Sequence, residues 1–238
     1  MINPQYFLMF ILIFVSSSSH ASLLFSEYVE GSSSNKALEI FNTGTTIDFN
    51  SGSYAVEIYS NGSSTPRYSI NLVGIVEQNS TFVIGHSSAD SAIHAVANLL
   101  TGSLSFNGDD AISLIYNGAI IDRIGQVGID PGTEWGSGLL STQNNTLRRQ
   151  SHVVTGDINA LDVFDPSLQW LGFDSDTFAG LGNHELDSLQ QSRTQNVQPS
   201  ASVPEPASFM LVMLGLLPLL FKCTNIRQFI PVGYEKLC

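Results

Sequence analysis

The chain has 238 residues, 43% of them hydrophobic and only 13% charged, with 21 acidic against 9 basic side chains and a formal net charge of −12. That length buries a real core and excludes a disordered protein, while the acidic balance excludes a general nucleic-acid binder, which needs a basic footprint. Both cysteines, Cys223 and Cys238, fall near the carboxyl end, so neither a disulfide nor a Cys-rich zinc module braces the body of the chain.

Residues 6–15 (YFLMFILIFV) form an unbroken apolar run followed by four serines, His20 and Ala21. The run is too short to span a bilayer as a helix but has the length of a secretory h-region, and Ser19 and Ala21 put small residues where a signal peptidase reads. The expectation is a signal peptide over 1–21, cleaved between Ala21 and Ser22.

The body between the two ends is expected over residues 22–187. Segments rich in β-branched and aromatic residues recur between turn signals at 23–29, 37–42, 54–59, 67–72, 81–86, 111–116 and 119–124. In Leu38-Glu39-Ile40 and Val56-Glu57-Ile58 a carboxylate alternates with apolar neighbours, as on a strand with one buried face. Asn117-Gly118 between two such runs is a strong hairpin signal, because a two-residue type I′ turn needs positive φ at both positions, and Asn61-Gly62 marks another turn. These segments predict an all-β, antiparallel β-sandwich. Over 88–100, Ile93, Val96, Ala97 and Leu100 follow the helical period, with Asp90 or Ser88 as cap. This predicts one short helix across an open end of the sandwich. Beyond Ile124 strands are not obvious until 145–151. Trp135, Phe164, Trp170, Phe173 and Phe178 still predict an ordered region rather than a free linker.

Several of these segments resemble the bacterial lamin-tail domain: Phe25-Ser26-Glu27-Tyr28-Val29-Glu30-Gly31, Lys36-Ala37-Leu38-Glu39-Ile40-Phe41-Asn42, Phe106-Asn107-Gly108-Asp109-Asp110, Ile124-Gly125-Gln126-Val127-Gly128, Asn145-Thr146-Leu147-Arg148-Arg149 and Phe164-Asp165-Pro166-Ser167. The resemblance covers roughly residues 23–182. It implies an immunoglobulin-like sandwich of the lamin-tail type, a module that in secreted bacterial proteins often accompanies nucleases or phosphatases.

After a polar linker (188–202) come Val203-Pro204-Glu205-Pro206, the apolar segment 207–221 and Lys222. Fifteen residues at about 1.5 Å each give a marginal membrane helix, and the basic flank would leave the body on the outer side of the inner membrane. Segment 203–238 resembles the PEP-CTERM sorting signal of Gram-negative bacteria, with Pro204, Glu205 and Pro206 as its motif. The resemblance implies removal by an exosortase and delivery to the cell surface or an extracellular matrix, with exopolysaccharide or other surface proteins as partners. A plain carboxyl-terminal membrane anchor is the alternative.

The candidate chemistry is acidic. Asn107, Asp109 and Asp110 precede a strand, and Asp157, Asn159, Asp162 and Asp165 lie in one loop. Hard oxygen donors of this kind suit Ca²⁺, although the spacing matches no EF-hand. Loop Asp and Asn also serve local backbone donors. His86, His94, His152 and His184 are scattered without metal-ligand spacing, and no nucleophile elbow occurs. Glu27, Glu30 and Glu39 are expected on different faces of their strands, which argues against a glycosidase pair, with Glu39 meeting Lys36 or Arg67 at the surface. Arg148 and Arg149 are expected to point to opposite sides and to pair with carboxylates rather than phosphate. The sequence therefore predicts a non-catalytic exported binding or structural module with no catalytic residue, no resident cofactor other than Ca²⁺ at Asp109, Asp110, Asp157, Asn159, Asp162 and Asp165, and no nucleic-acid partner. The alternative is a secreted metal-dependent hydrolase or an accessory subunit of an extracellular nuclease or phosphatase.

Overall fold

A computed structural model of the chain describes residues 23–159 and 162–187. The chain divides into two units, Met1–Thr194 and Gln195–Cys238, and every described residue belongs to the first. The expected signal peptide, the polar linker, the Pro204-Glu205-Pro206 motif and the apolar segment 207–221 lie outside the described residues. Among the described residues no helix is long and apolar enough to cross a membrane.

In chain order the strands are β1 (Leu23–Glu30), β2 (Lys36–Asn42), β3 (Ile47–Asp48), β4 (Tyr54–Tyr59), β5 (Tyr68–Asn71), β6 (Ile75–Val76) and β7 (Thr81–His86). After the helix α1 (Ser91–Val96) come β8 (Leu99–Thr101), β9 (Ala111–Tyr116), β10 (Ala119–Ile124), β11 (Gly136–Ser137), β12 (Leu140–Ser141), β13 (Asn145–Arg149) and β14 (Trp170–Asp174). All of the strands expected from alternation are present, with bounds within two residues of expectation. The short β3, β6, β8, β11 and β12 were not legible, and neither was β14. Asn117 (φ 49°) and Gly118 (φ 80°) join β9 to β10, and Asn61 (φ 49°) and Gly62 (φ 72°) turn the chain after β4, as two-residue turns with positive φ require.

Two sheets face each other in an immunoglobulin-like sandwich. The larger has the order β14-β13-β1-β2-β7-β8 and the smaller the order β10-β9-β4-β5. Tyr28, Leu38, Ile40, Ile84, Leu147 and Trp170 from the larger sheet share one apolar core with Val56, Ile58, Ile112, Leu114 and Ile124 from the smaller. Alternation along each strand supplies the inward residues, and burial of this shared core is the main stabilising term.

The structure corrects the sequence expectation in three places. The sandwich is not wholly antiparallel, because β8 runs parallel to β7. The helix is shorter than 88–100: it ends at Val96, and Ala97 is already extended. Asn98 explains the early stop, since its backbone N–H donates to Val83 O and its side-chain Oδ1 accepts from Val83 N, both at 2.8 Å. These bonds to the edge of β7 replace another helical turn, and Val96 and Leu100 are left 38% and 43% exposed. Nor does α1 cross an open end. Ile93 packs with Val29, Ala37, Val83 and Leu181 on the outer face of the larger sheet, so β1 and β2 are buried on both faces. Asp90 caps α1 as expected, its Oδ1 accepting from Ala92 N at 2.8 Å. Asp90→Ala should lower the stability of the domain by about 1 kcal/mol, read as a lower urea midpoint at unchanged slope.

Candidate functional site

The strongest concentration of polar chemistry begins at an irregularity in β1. Phe25 pairs with Ile40 and Glu27 with Glu39, so Ser26 is an extra residue, a β-bulge that interrupts the ladder. Phe25 N donates to Asp122 Oδ2 at 2.6 Å, and Phe25 O accepts from Arg149 Nε at 2.9 Å. A second register shift, between Ile120 and Asp122 in β10, accompanies the inward position of that carboxylate. Asp122 and Arg149 form an ion pair with both side chains essentially inaccessible to solvent. Arg149 also donates to Gln169 Oε1 at 2.5 Å and lies over the Trp170 ring, 4.1 Å from its centroid. Burial pushes the Asp122 carboxyl upward, while Arg149 and the N–H groups of Asp157, Phe25 and Arg123 pull it down.

The neighbouring residue Arg123 is equally enclosed. Its Nη1 donates to Gly125 O at 2.9 Å and its Nη2 lies 2.9 Å from Asp157 Oδ2, with Asp162 as a second carboxylate partner. Asp157 N reaches back to Asp122 Oδ1 at 2.8 Å, which stitches the 155–165 loop to β10. Arg123, Arg149, Asp157, Asp162 and Trp170 line a cavity of about 310 Å³. Ile158, Val163 and Leu168, which are 71%, 79% and 69% exposed, also line it. Arg123 Nε and Trp170 Nε1 are buried and have no acceptor among the described residues, and both atoms are donors only. The cleft thus sets aliphatic walls beside charges that are mostly paired: Arg149 with Asp122, which is not among the lining residues, and Arg123 with Asp157 and Asp162. Asp165, also on the lining, is bonded to Ser167.

The structure divides the six residues expected to bind Ca²⁺. Asp157, Asn159, Asp162 and Asp165 line the cleft, and Asp109 and Asp110 do not. Asp157 Oδ1 accepts from Asn159 N at 3.0 Å, and Asp165 Oδ1 accepts from Ser167 N at 2.9 Å at the start of the Pro166–Leu168 turn. The Ser167 bonds hold the Asp165 carboxyl below its ordinary range. Asp110 accepts from Asn61 N at 3.0 Å and from Asn107 N at 3.1 Å, and burial raises its carboxyl. Among the described residues no group of three or more His, Cys, Asp or Glu side chains comes together in a way that could hold a metal ion. Of the histidines, His94 Nε2 lies 3.3 Å from His86 O. His86 Nδ1 accepts from Ser88 N, and His184 sits edge-on to Phe41 at 4.8 Å.

Two expectations about the glutamates are corrected. Glu27 and Glu39 are register partners and share the outer face of the larger sheet, because the Ser26 bulge resets the alternation of β1. Glu39 is also not at the surface beside Lys36 or Arg67; it bonds to Ser26 and Gly182, whereas Lys36 pairs with Glu30 at 2.7 Å. The adjacent arginines do face opposite ways. Arg148 meets Glu27 on the outer face, and Arg149 meets Asp122 between the sheets.

Asp122, Arg123 and Trp170 were missed as functional candidates. Asp122-Arg123 inside the apolar strand AIIDRI was the available signal, since charges in a buried strand must find partners.

Residues 16–128 match the family model described as Lamin Tail Domain. The match takes in β1 through β10 and stops short of β13 and β14, so the Asn145–Arg149 and 164–167 segments that also carry the resemblance lie beyond it. No curated protein and no solved structure matches the chain.

Proposed function

We propose that the chain is an exported, non-catalytic surface or extracellular-matrix protein whose lamin-tail-like sandwich binds its partner through the cleft between the 155–165 loop and β14. One observation carries the non-catalytic reading: both arginines that line the cleft, and two of its carboxylates, are committed to ion pairs. Arg149 is locked to Asp122, and Arg123 to Asp157 and Asp162. A hydrolase would need a carboxylate free to act as a base or to hold a metal; Arg123 competes for Asp157 and Asp162, and Asp165 is turned to Ser167. The family match over residues 16–128 supports the same reading, the domain being a binding or structural module.

Export and sorting rest on sequence alone. The apolar run at 6–15 with Ala21 and Ser22 supports cleavage by signal peptidase. Pro204, Glu205 and Pro206 before the 207–221 segment support processing by an exosortase from an inner-membrane intermediate. Exopolysaccharide or another surface protein is the expected partner, and an acidic body of −13 over residues 22–203 argues against nucleic acid.

Fractionation of the tagged full chain, with and without residues 204–206, tests the sorting. The intact form should leave the inner membrane in a shortened form, and the deletion should stay there at full length. Retention of both forms at full length would instead establish a plain membrane anchor. Calorimetric titration with Ca²⁺ tests the metal-dependent alternative. The expected result is no heat and no rise in melting temperature; saturable binding that is abolished by Asp157→Asn would favour it.

A further inference from the structure

On the outer face of the larger sheet, away from the cleft, two carboxylates are buried against a single cation. Glu27 and Glu39 face each other across β1 and β2, and each is 1% exposed. Glu27 Oε2 accepts from Arg148 Nε at 2.9 Å, while Glu27 Oε1 and Arg148 Nη2 have no hydrogen-bond partner among the described residues. Glu39 Oε1 accepts from Ser26 Oγ at 2.6 Å, and Oε2 from Gly182 N at 2.5 Å.

That last bond belongs to the segment 175–187, which closes over the pair. Leu181 inserts among Val29, Ala37, Val83 and Ile93, and Leu186 packs on Leu24 and Phe41. Asp187 N donates to Ser151 O at 3.0 Å. At Gly180 a Cβ would stand 2.1 Å from Arg148 Nε and 2.2 Å from Glu27 Oε2, so this segment approaches the charges as closely as a backbone without a side chain allows.

Among the described residues, the other charged and titratable groups around the pair are engaged elsewhere or exposed. Val83 stands opposite Glu39 on β7, and on β2 Lys36 is taken by Glu30. On β14, Phe173 lies against Arg148 at 4.3 Å. On α1, His94 turns to His86 O. Within the segment itself, Asp176 is bonded to Ser32 and Asn35, His184 rests on Phe41, and Glu185 and Asp187 are exposed.

We infer that residues 175–187 form a proton-held strap: a proton held by the Glu27–Glu39 pair keeps the strap seated, and its loss releases the strap from the outer face. With both carboxylates ionised, two negative charges would be buried against one guanidinium, a state that low polarity penalises heavily. Opening the strap returns them to water.

The direction of the pH dependence follows. Burial, against the pull of Arg148, raises Glu27 from 4.5 to about 8, and burial also raises Glu39. The seated state binds the proton more tightly than the open one. Its contribution to seating is therefore full below 4.5 and is lost as pH rises through about 8. His184 acts with the opposite sign. Burial holds it at about 4 instead of 6.5, so its contribution is present above 6.5 and is lost as pH falls through about 4. Above pH 6.5 the His184 contribution is constant, and the glutamate pair sets the direction.

Amide hydrogen exchange of the full chain between pH 6.5 and 8.5 tests the strap. After correction for intrinsic rates, protection at Leu181, Gly182 and Asp187 should fall with a slope approaching tenfold per pH unit, while Leu38 and Ile40 in β2 stay constant. Glu27→Gln and Glu39→Gln should each flatten that slope. Strap protection that is flat with pH in the unaltered chain, or a slope retained in both variants, overturns the inference. If either variant fails to fold, the profile of the unaltered chain and the other variant still decide.

Discussion

Asp122→Ala is expected to destabilise the domain by about 3–5 kcal/mol, the range for removing one partner of a buried ion pair. The cost has three sources, all at one position. The Arg149 guanidinium, between the sheets, loses its one carboxylate partner among the described residues. Phe25 N, freed from the ladder by the Ser26 bulge, loses its acceptor. Asp157 N loses the bond that ties the cleft loop to β10. Asp122→Asn should cost less, because a side-chain carbonyl still accepts although the charge is gone. Combining Asp122→Ala with Arg149→Met should recover part of the loss, since no buried charge then stands alone. Urea denaturation of the four proteins measures this, and a double mutant as unstable as the sum of the single changes would show that the two residues are not coupled.

Trp170→Ala should cost a comparable 3–5 kcal/mol, by a different mechanism. The indole is almost fully buried at the junction of the core and the cleft, and Arg149 lies over its ring. Truncation leaves a cavity and removes the cation–π contact. Trp170→Phe keeps a ring beneath Arg149 and deletes an N–H that has no acceptor among the described residues. Its stability cost should be about 1 kcal/mol, while binding through the cleft should weaken because a smaller ring replaces the indole on its lining. Leu168→Ala, at an exposed position on the cleft wall, should leave stability within about 0.5 kcal/mol and affect binding alone. Thermal melts alongside binding measurements separate the two effects.

The strands were legible because their cause is local. An alternating run such as residues 54–59, or a turn such as Asn117-Gly118, carries its own instruction within a few residues. The Asp90 cap is local in the same sense. The helix over 88–100 failed where the cause was distant: its period continues to Leu100, but hydrogen bonds from Asn98 to the edge of β7 end it at Val96. β14 was missed because Trp170-Leu171-Gly172-Phe173 has neither clean alternation nor a flanking turn signal; its pairing with β13 makes it a strand.

The cleft and the strap lay further out of reach. Both descend from the Ser26 bulge, which nothing in Phe25-Ser26-Glu27 announces. The bulge exposes the backbone groups of Phe25 to Asp122 and Arg149, and it turns Glu27 onto the same face as Glu39. Reading β1 as perfectly alternating therefore separated two carboxylates that the register places side by side.

By itself the sequence determined an acidic β domain, most of its strands and turns, the cap of its one helix, and the opposite facing of Arg148 and Arg149. Each of these follows from composition or from the period-two geometry of a single strand. Only the tertiary structure decided which charges neutralise each other. Asp122 and Arg149 are 27 residues apart, and Glu27 and Arg148 are 121 apart. Their meeting depends on strand order and register, which a one-residue bulge is enough to change.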